Sequence, residues 1–518
     1  MNILDADRAA ALVPDGATVA CAGFVGAGHA EVVTAALERR FLDSGSPRDL
    51  TLVFSAGQGD RATRGVNHFG NAGMVRRIIG GHWRSAPRLV QLALRNQCEA
   101  FTLPQGVISH LYRAIASGAP GVLTRIGLHT FVDPRHGGGR VNDARSGLPD
   151  PVRLVEFEGR EMLLYPRMPI DVTLLRGTCA DADGNISCED EPFHHELLAI
   201  AQAARNSGGI VIAQVKRIVD RHADLSQVRV PGILVDHVVV CPPERIDQDH
   251  AMTFGELHNA AYITAGNGSD LHEQPVSAPA RRIVHRRAAM EIAAHAPRVV
   301  NLGVGMPAGV GAMAHAMGLG GFTLTVEAGP IGGIPADGLS FGASAWPECV
   351  VDQPAQFDFY DGGGIDLAVL GMAELDAAGN VNVSRFGTGD GAMIAGVGGF
   401  INITQSARAL VFVGSLTAGG LEVAVEDGRL RIVREGRSNK VVPQVAHLSF
   451  NGSYAQQLGT RVLYVTERAV FAMRGGALTL VEIAPGIDVA RDVLAHCDTP
   501  VAVAPDLRIM DSRVFSDA

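Results

Sequence analysis

The stretch IDVTLLRGTCADADGNIS (Ile170–Ser187) recurs as IDLAVLGMAELDAAGNVNVS (Ile365–Ser384). At a constant offset of 195, Ile170-Asp171 falls on Ile365-Asp366, Leu175 on Leu370, and Gly184-Asn185-Ile186 on Gly379-Asn380-Val381. Each copy reads as a buried strand followed by an acidic turn that Gly-Asn closes. Three more pairs follow in the same order. ATVACAGFVGAG (17–28) lies over PRVVNLGVGMPAG (297–309), LTLVFSAGQG (50–59) over FTLTVEAGPIG (322–332), and GGIVIAQV (208–215) over RALVFVGS (408–415). The common order marks a tandem duplication. Strands alternating with helices then predict two homologous open α/β domains, their largely parallel sheets covered by helices.

The first domain is expected over 1–242 and the second over 281–518, with a polar, Pro- and Gly-bearing linker at 243–280. RRIVHRRAAMEIAAHA (281–296) predicts the helix that opens the second half. The first half carries about 77 more residues than the second between its position 55 and its Gly-Asn turn. That insertion includes FTLPQGVISHLYRAIASGAPGVLTRIGLHTFVDP (101–134), too patterned to be a loop.

Composition narrows the function. A chain of 518 residues with 47% hydrophobic residues has material for more than one core. Net charge is −10 with the two signs interspersed, which argues against a nucleic-acid surface. The N-terminus MNILDADRAAALVPDG lacks a basic-then-apolar signal pattern, and no uncharged apolar run is long enough to span a bilayer. The seven cysteines are scattered without a CxxC pair, as expected of reduced thiols. A cytoplasmic protein with no membrane partner is the expectation.

Within FTLTVEAGPIGGIP (322–335) a single acid, Glu327, ends an apolar β-branched run and precedes a glycine-rich turn. Burying an acid at a strand end is costly without compensation. In the first copy the same position holds Ser55, so the fold does not require the acid. One half retains a carboxylate that the other lacks, as a duplicated scaffold with one active centre would. A second reading takes NLGVGMPAGVG (301–311) as a dinucleotide turn, with Gly303 and Gly305 against a pyrophosphate and Glu327, 24 residues after Gly303, on a ribose. Pro307 and Ala308 stand where the third glycine should pack, and the first copy has a different spacing.

A carboxylate at such a turn suits nucleophilic acyl transfer. Attack on an acyl-thioester gives a mixed anhydride and a thiolate. The thiolate then forms an enzyme thioester, and a second carboxylic acid reverses the sequence. Each intermediate stays activated, and oxyanion donors are needed at every step. Glycine turns can supply those donors from the backbone.

Here the sequence resembles the family I CoA-transferases, of the single-chain kind that includes propionate and acetate/3-ketoacid CoA-transferases. The resemblance rests on NLGVGMP (301–307), TVEAGPIGG (325–333), IDLAVLGMAELDAAGNVNVS (365–384), GVGGFINI (396–403) and LPQGVISHLYRAIASGAPGVLTRIGLHTFVDPR (103–135). It implies a CoA-transferase with an α-subunit-like first domain and a β-subunit-like second domain that carries the catalytic Glu327. It further implies Asn380, Gly398 and Gly399 as oxyanion contacts, and Gln105 and Gly127 bordering the acyl pocket. Gly303, Gly305 and Lys440 are placed against CoA. Acyl-CoA and small carboxylates are the implied substrates. CoA is a substrate, not a cofactor, no metal is needed, and a homodimer or homotetramer is expected. Many relatives place Asn-Gly or Ser-Gly after the glutamate, where this chain has Ala328-Gly329.

Other motifs carry less. DEPFHHELL (190–198) reads as an acidic helix start, because adjacent histidines on a helix diverge and do not chelate together. GDRATRGVNHFG (59–70) and VRRIIGGHWRSAPR (75–88) read as solvated basic loops. A nicotinamide-dependent oxidoreductase and a non-catalytic CoA or metabolite sensor remain the two alternatives.

Overall fold

The computed structural model describes residues 1–241, 278–336, 338–387 and 391–516. Pro242 and residues 243–277 of the expected linker lie outside the described residues. The helix expected at 281–296 runs from Pro279 to His295, with proline in its first turn, where a missing N–H costs nothing.

Apolar β-branched runs form the strands. In the first half these are β1 (Asn2–Leu4), β2 (Thr18–Cys21), β3 (Leu50–Phe54), β4 (Val75–Gly80), β5 (Glu99–Thr102), β6 (Val172–Arg176), β7 (Ile210–Val215) and β8 (His237–Val240). They make one sheet in the order β1-β8-β7-β6-β2-β3-β4-β5, each neighbouring pair parallel. In the second half β9 (Val299–Leu302), β10 (Thr323–Thr325), β11 (Leu367–Gly371), β12 (Ala409–Val413) and β13 (Arg461–Val465) run in the order β10-β9-β11-β12-β13, also parallel. Each order contains the same core, β7-β6-β2-β3 matching β12-β11-β9-β10. Every residue of β6 and of β12 is buried, as expected of strands covered on both faces.

Strand register tests the duplication residue by residue. Val19 lies opposite Val172 and Val300 opposite Leu367, which preserves the offset of 195 for the second strand of each pair. Thr18 faces Thr51 as Val299 faces Thr323, so position 55 does correspond to position 327. The repeated Ile-Asp has a role in this geometry. Asp171 Oδ2 accepts the Thr18 N–H at 2.7 Å, and Asp366 Oδ2 accepts the Val299 N–H at 3.1 Å, tying the central strands together.

One pairing slips. Ile210 faces Val172, and Ala409 faces Leu367, so the counterpart of Ile210 is Ala409 and not Leu410 as the matched segments imply. A one-residue shift turns every side chain to the other face. The sequence match could not detect it, because strands buried on both faces lack the apolar–polar alternation that would fix the register.

The compact units are not the two halves of the sequence. Described residues within Met1–Gly266, Val326–Asp358 and Arg385–Asn402 form one unit, and those within Asn267–Thr325, Phe359–Ser384 and Ile403–Ala518 the other. Apolar burial explains the exchange. Val326, Ala328, Ala336, Phe341 and Ala343 share a buried cluster with Phe24, Ala27, Ala56 and Phe193 of the first half. The expected domain boundaries follow chain order and do not capture this packing.

The insertion is structured as expected, with β4, β5, the helices Pro87–Leu94 and Gln105–Ala116, and the strands Gly121–Thr124, Arg153–Phe157 and Arg160–Pro166. VRRIIGGHWRSAPR is not a solvated loop. Its first residues form β4, and Ile78, Ile79 and Trp83 are fully buried. Arg77 donates through Nε to buried Glu99 at 2.6 Å, which lets a basic residue occupy a strand interior.

Candidate active site

Glu327 stands two residues beyond the end of β10. The turn closes on itself, since the Val326 N–H donates to Pro330 O and the Gly329 N–H donates to Val326 O, each at 3.0 Å. Gly329 has φ +125°, and a Cβ there would stand 2.0 Å from the Val351 carbonyl oxygen. No other residue fits without moving that carbonyl. The glycine is thus required sterically. Its N–H is spent on the turn, so this amide is not among those the glycine turn has left to offer a reacting carbonyl.

Val326 and Ala328 are buried, whereas Glu327 between them is only partly so. The flanking residues anchor the backbone and point the carboxylate out of the apolar cluster. Among the described residues no other group donates a hydrogen bond to this carboxylate or forms an ion pair with it. Desolvation raises its pKa from the ordinary 4.5 to about 7, with a hydrogen bond to its own backbone N–H opposing. A weakly solvated carboxylate near half-ionisation at neutral pH is suited to nucleophilic attack.

In the same unit the first-half copy of this turn is held very differently. Val25 N–H donates to Gly57 O at 2.6 Å, and Gly59 N–H to Val25 O at 2.9 Å, clamping the glycine turns after β2 and β3 together. The Gly26 N–H reaches Leu339 O at 3.1 Å, beyond Glu327 in the chain. Ser55, at the position equivalent to Glu327, donates its hydroxyl to Glu196 Oε1 at 2.7 Å. Gln353 Nε2 donates to Ser55 Oγ at 3.0 Å and to Ser109 Oγ at 2.6 Å, and Gln105 Nε2 donates to Gln353 Oε1 at 3.2 Å. Burial raises the Glu196 pKa to about 7, partly offset by the Ser55 hydrogen bond.

The Coenzyme A transferase family profile matches residues 3–241. Over its full length the chain is 43% identical to caffeate CoA-transferase of Acetobacterium woodii, covering 98% of that protein. It is 40% identical to acetate CoA-transferase YdiF of Escherichia coli K12, with all of this chain and 95% of that one covered. The solved YdiF apoenzyme from E. coli O157:H7 matches with TM-score 0.91 and 38% identity over all of this chain and 96% of that one. A thioester complex of that transferase with CoA matches at 0.90.

The chain belongs to the coenzyme A transferase family.

For a CoA-transferase the positions implied by resemblance can now be read individually. In the unit that holds Glu327, Gly398 uses both backbone groups, its N–H on Gly81 O at 2.8 Å and its carbonyl on the Gln105 N–H at 2.9 Å. Of the two glycines, Gly398 and Gly399, only Gly399 has its N–H without an acceptor among the described residues. Gln105 opens its helix beside Gly398 and lies in the hydrogen-bonded chain just described. Gly127 sits apart from that chain, with φ +102° and Tyr165, Leu163 and Val132 as its neighbours.

Four implied residues lie in the other unit. Asn380 is held in its turn at both ends of the carboxamide, since Nδ2 donates to Asp376 Oδ2 and Oδ1 accepts the Gly452 N–H, both at 3.0 Å. Asn185 makes the same two contacts in the first copy, to Asp181 and Gly232. This repetition marks Asn380 as a turn brace, and the second N–H of its Nδ2 makes no hydrogen bond among the described residues. Gly303 donates its N–H to Val369 O at 2.9 Å, and Gly305, at φ +83°, faces open space. Lys440 is no ordinary surface lysine. Its Nζ would stand 2.9 Å from a Gly414 Cβ, burial lowers its pKa to about 8, and it forms no ion pair among the described residues.

Three polar residues lie against these positions and carry no site role in the sequence reading: Glu196, Gln353 and His82. Glu196 belongs to DEPFHHELL, but the helix begins only at Leu197 and Glu196 gives it no side-chain cap. His194 and His195 precede the helix, His195 with φ +52°, so the assumption of helical spacing fails there. Gln353 carried no sequence signal. His82 lies against Gly57, its Nδ1 2.6 Å from where a Cβ would stand, and burial, with Arg84 and Arg61, lowers its pKa to about 4.

Proposed function

We propose that this enzyme moves CoA from a short-chain acyl-CoA to a carboxylic acid by a ping-pong route through a Glu327 thioester. The observation that carries the reading is the Glu327 carboxylate itself, anchored by buried flanks, unpaired among the described residues and poised near neutral pH.

The Glu327 carboxylate attacks the acyl-CoA carbonyl; the C–S bond breaks and the thiolate of CoA leaves. The thiolate attacks the glutamyl carbonyl of the mixed anhydride, releasing the first carboxylate and leaving the glutamyl-CoA thioester. An acceptor carboxylate attacks that thioester, CoA leaves again, and thiolate attack on the acceptor's acyl carbonyl restores Glu327 and delivers the new acyl-CoA. Charge and atoms balance with no other reactant, so the scheme calls for no metal and no cofactor beyond CoA as substrate. Gly399 contributes the backbone N–H to the tetrahedral oxyanions. The relatives named for acetate and caffeate use carboxylic acids of different size. Acetate, propionate and 3-oxoacids are our choice of acceptors.

Incubation with acetyl-CoA followed by intact mass and peptide mapping tests the reading. A CoA adduct on Glu327, absent from Glu327→Gln, is expected; turnover near wild type in that variant would remove the mechanism.

A further inference from the structure

Although the duplicated position holds serine, a carboxylate occupies its neighbourhood, supplied by Glu196 from 141 residues away. Five side chains form one connected chain, and all are buried: Ser55 and Gln353 and Ser109 at 0% exposure, Glu196 and Gln105 at 1%. Buried polar chains persist only when their donors and acceptors match in direction. Here the direction is uniform. Gln105 donates to Gln353, Gln353 donates to Ser55 and Ser109, and Ser55 donates to Glu196.

Glu196 sets that direction. A carboxylate oxygen that accepts from Ser55 obliges the hydroxyl to point at it. The Ser55 oxygen is then an acceptor toward Gln353, which fixes the Gln353 NH2 on the hydroxyl side and its carbonyl on the Gln105 side. Gln105 must in turn offer its NH2 to Gln353. Its carboxamide oxygen consequently faces Gly398, where a glycine Cβ would lie 3.5 Å from Oε1. The Gln105 backbone N–H meets Gly398 O at 2.9 Å, so the carboxamide is held beside the backbone donor Gly399. Without the acceptor at 196, the Ser55 hydroxyl can reverse, and both carboxamides lose their unique orientation.

We propose that Glu196 is a positioning residue for CoA transfer, fixing through Ser55 and Gln353 the way the Gln105 carboxamide faces beside the Gly398-Gly399 turn. The proposal rests on the transferase reading above and adds a determinant for the acyl group and its carboxylate acceptor.

The test uses the full chain with acetyl-CoA as donor and propionate as acceptor, following propionyl-CoA by chromatography and the Glu327 adduct by mass. Glu196→Leu is expected to lower kcat/KM for propionate by about tenfold, the cost of one misdirected polar contact at a reacting centre. Glu196→Gln, which keeps an acceptor oxygen for Ser55, should recover most of that loss. Ser55→Ala cuts the same chain with little change in volume and serves if Glu196→Leu does not fold. Gln105→Leu supplies the decisive comparison. If Glu196 acts through Gln105, adding Ser55→Ala or Glu196→Leu to Gln105→Leu should cost no further kcat/KM. Additive losses, or no rescue by Glu196→Gln, would overturn the proposal. A wild-type protein that forms no Glu327 adduct would instead overturn the transferase mechanism, so the two failures are distinct.

Discussion

The perturbed Glu327 carboxyl makes a quantitative prediction. With a pKa of about 7 in place of 4.5, the nucleophilic form should rise from about a tenth of the protein at pH 6 to about nine-tenths at pH 8. Single-turnover formation of the Glu327 adduct from acetyl-CoA should therefore accelerate about tenfold across that range and then level off. A carboxyl at its ordinary value would already be ionised throughout and give a flat profile. The same shift has a stability consequence. Because the folded pKa lies above the unfolded one, the native state binds the extra proton between pH 4.5 and 7 and loses stability as pH rises through that window. Glu327→Gln does not titrate. Its stability advantage over wild type should grow by about 2.5 kcal/mol from pH 5 to pH 8, read from paired urea unfolding curves, in which all other titrations cancel. An adduct rate constant within twofold between pH 6 and 8, together with a pH-independent stability difference, would refute the reasoning.

Gly329→Ala should cost more than about 2 kcal/mol in urea unfolding and abolish adduct formation, since the new methyl meets Val351 O and φ is +125°. His68, bonded to Glu31 and Glu38, has its pKa raised to about 9 by those two carboxylates against the penalty of burial. Its contribution, about 3 kcal/mol, is complete below pH 6.5 and lost as pH rises through 9, so the destabilisation in His68→Gln should shrink between pH 7 and pH 10. Lys440, lowered to about 8 by burial, carries a penalty that disappears above pH 10.5. Lys440→Met should stabilise the protein by about 2–3 kcal/mol at pH 7 and by nothing near pH 11; a KM for acetyl-CoA raised tenfold or more would instead assign Lys440 to the CoA phosphates.

Much of the architecture is written locally along the chain. A strand, its following turn and its burial are encoded by neighbouring residues, so the offset of 195 and the equivalence of Ser55 with Glu327 hold in the observed registers. The retained acid and the motifs around it were sufficient to identify the family. Contacts between distant residues were not legible. Glu196 meets Ser55 across 141 residues and Gln353 meets it across 298, and no periodicity links them. Asn380 kept its motif, but only its two hydrogen bonds revealed that both ends of its side chain brace a turn. The chain by itself thus determined the duplicated scaffold and the position of its single unmatched carboxylate. Tertiary structure decided what surrounds it: the packing of Val326 and Ala328 against Phe24, Ala56 and Phe193 places the Glu327 segment in the first compact unit. Burial of apolar surface is blind to chain order, and a directed hydrogen bond exists only once folding has brought its donor and acceptor together.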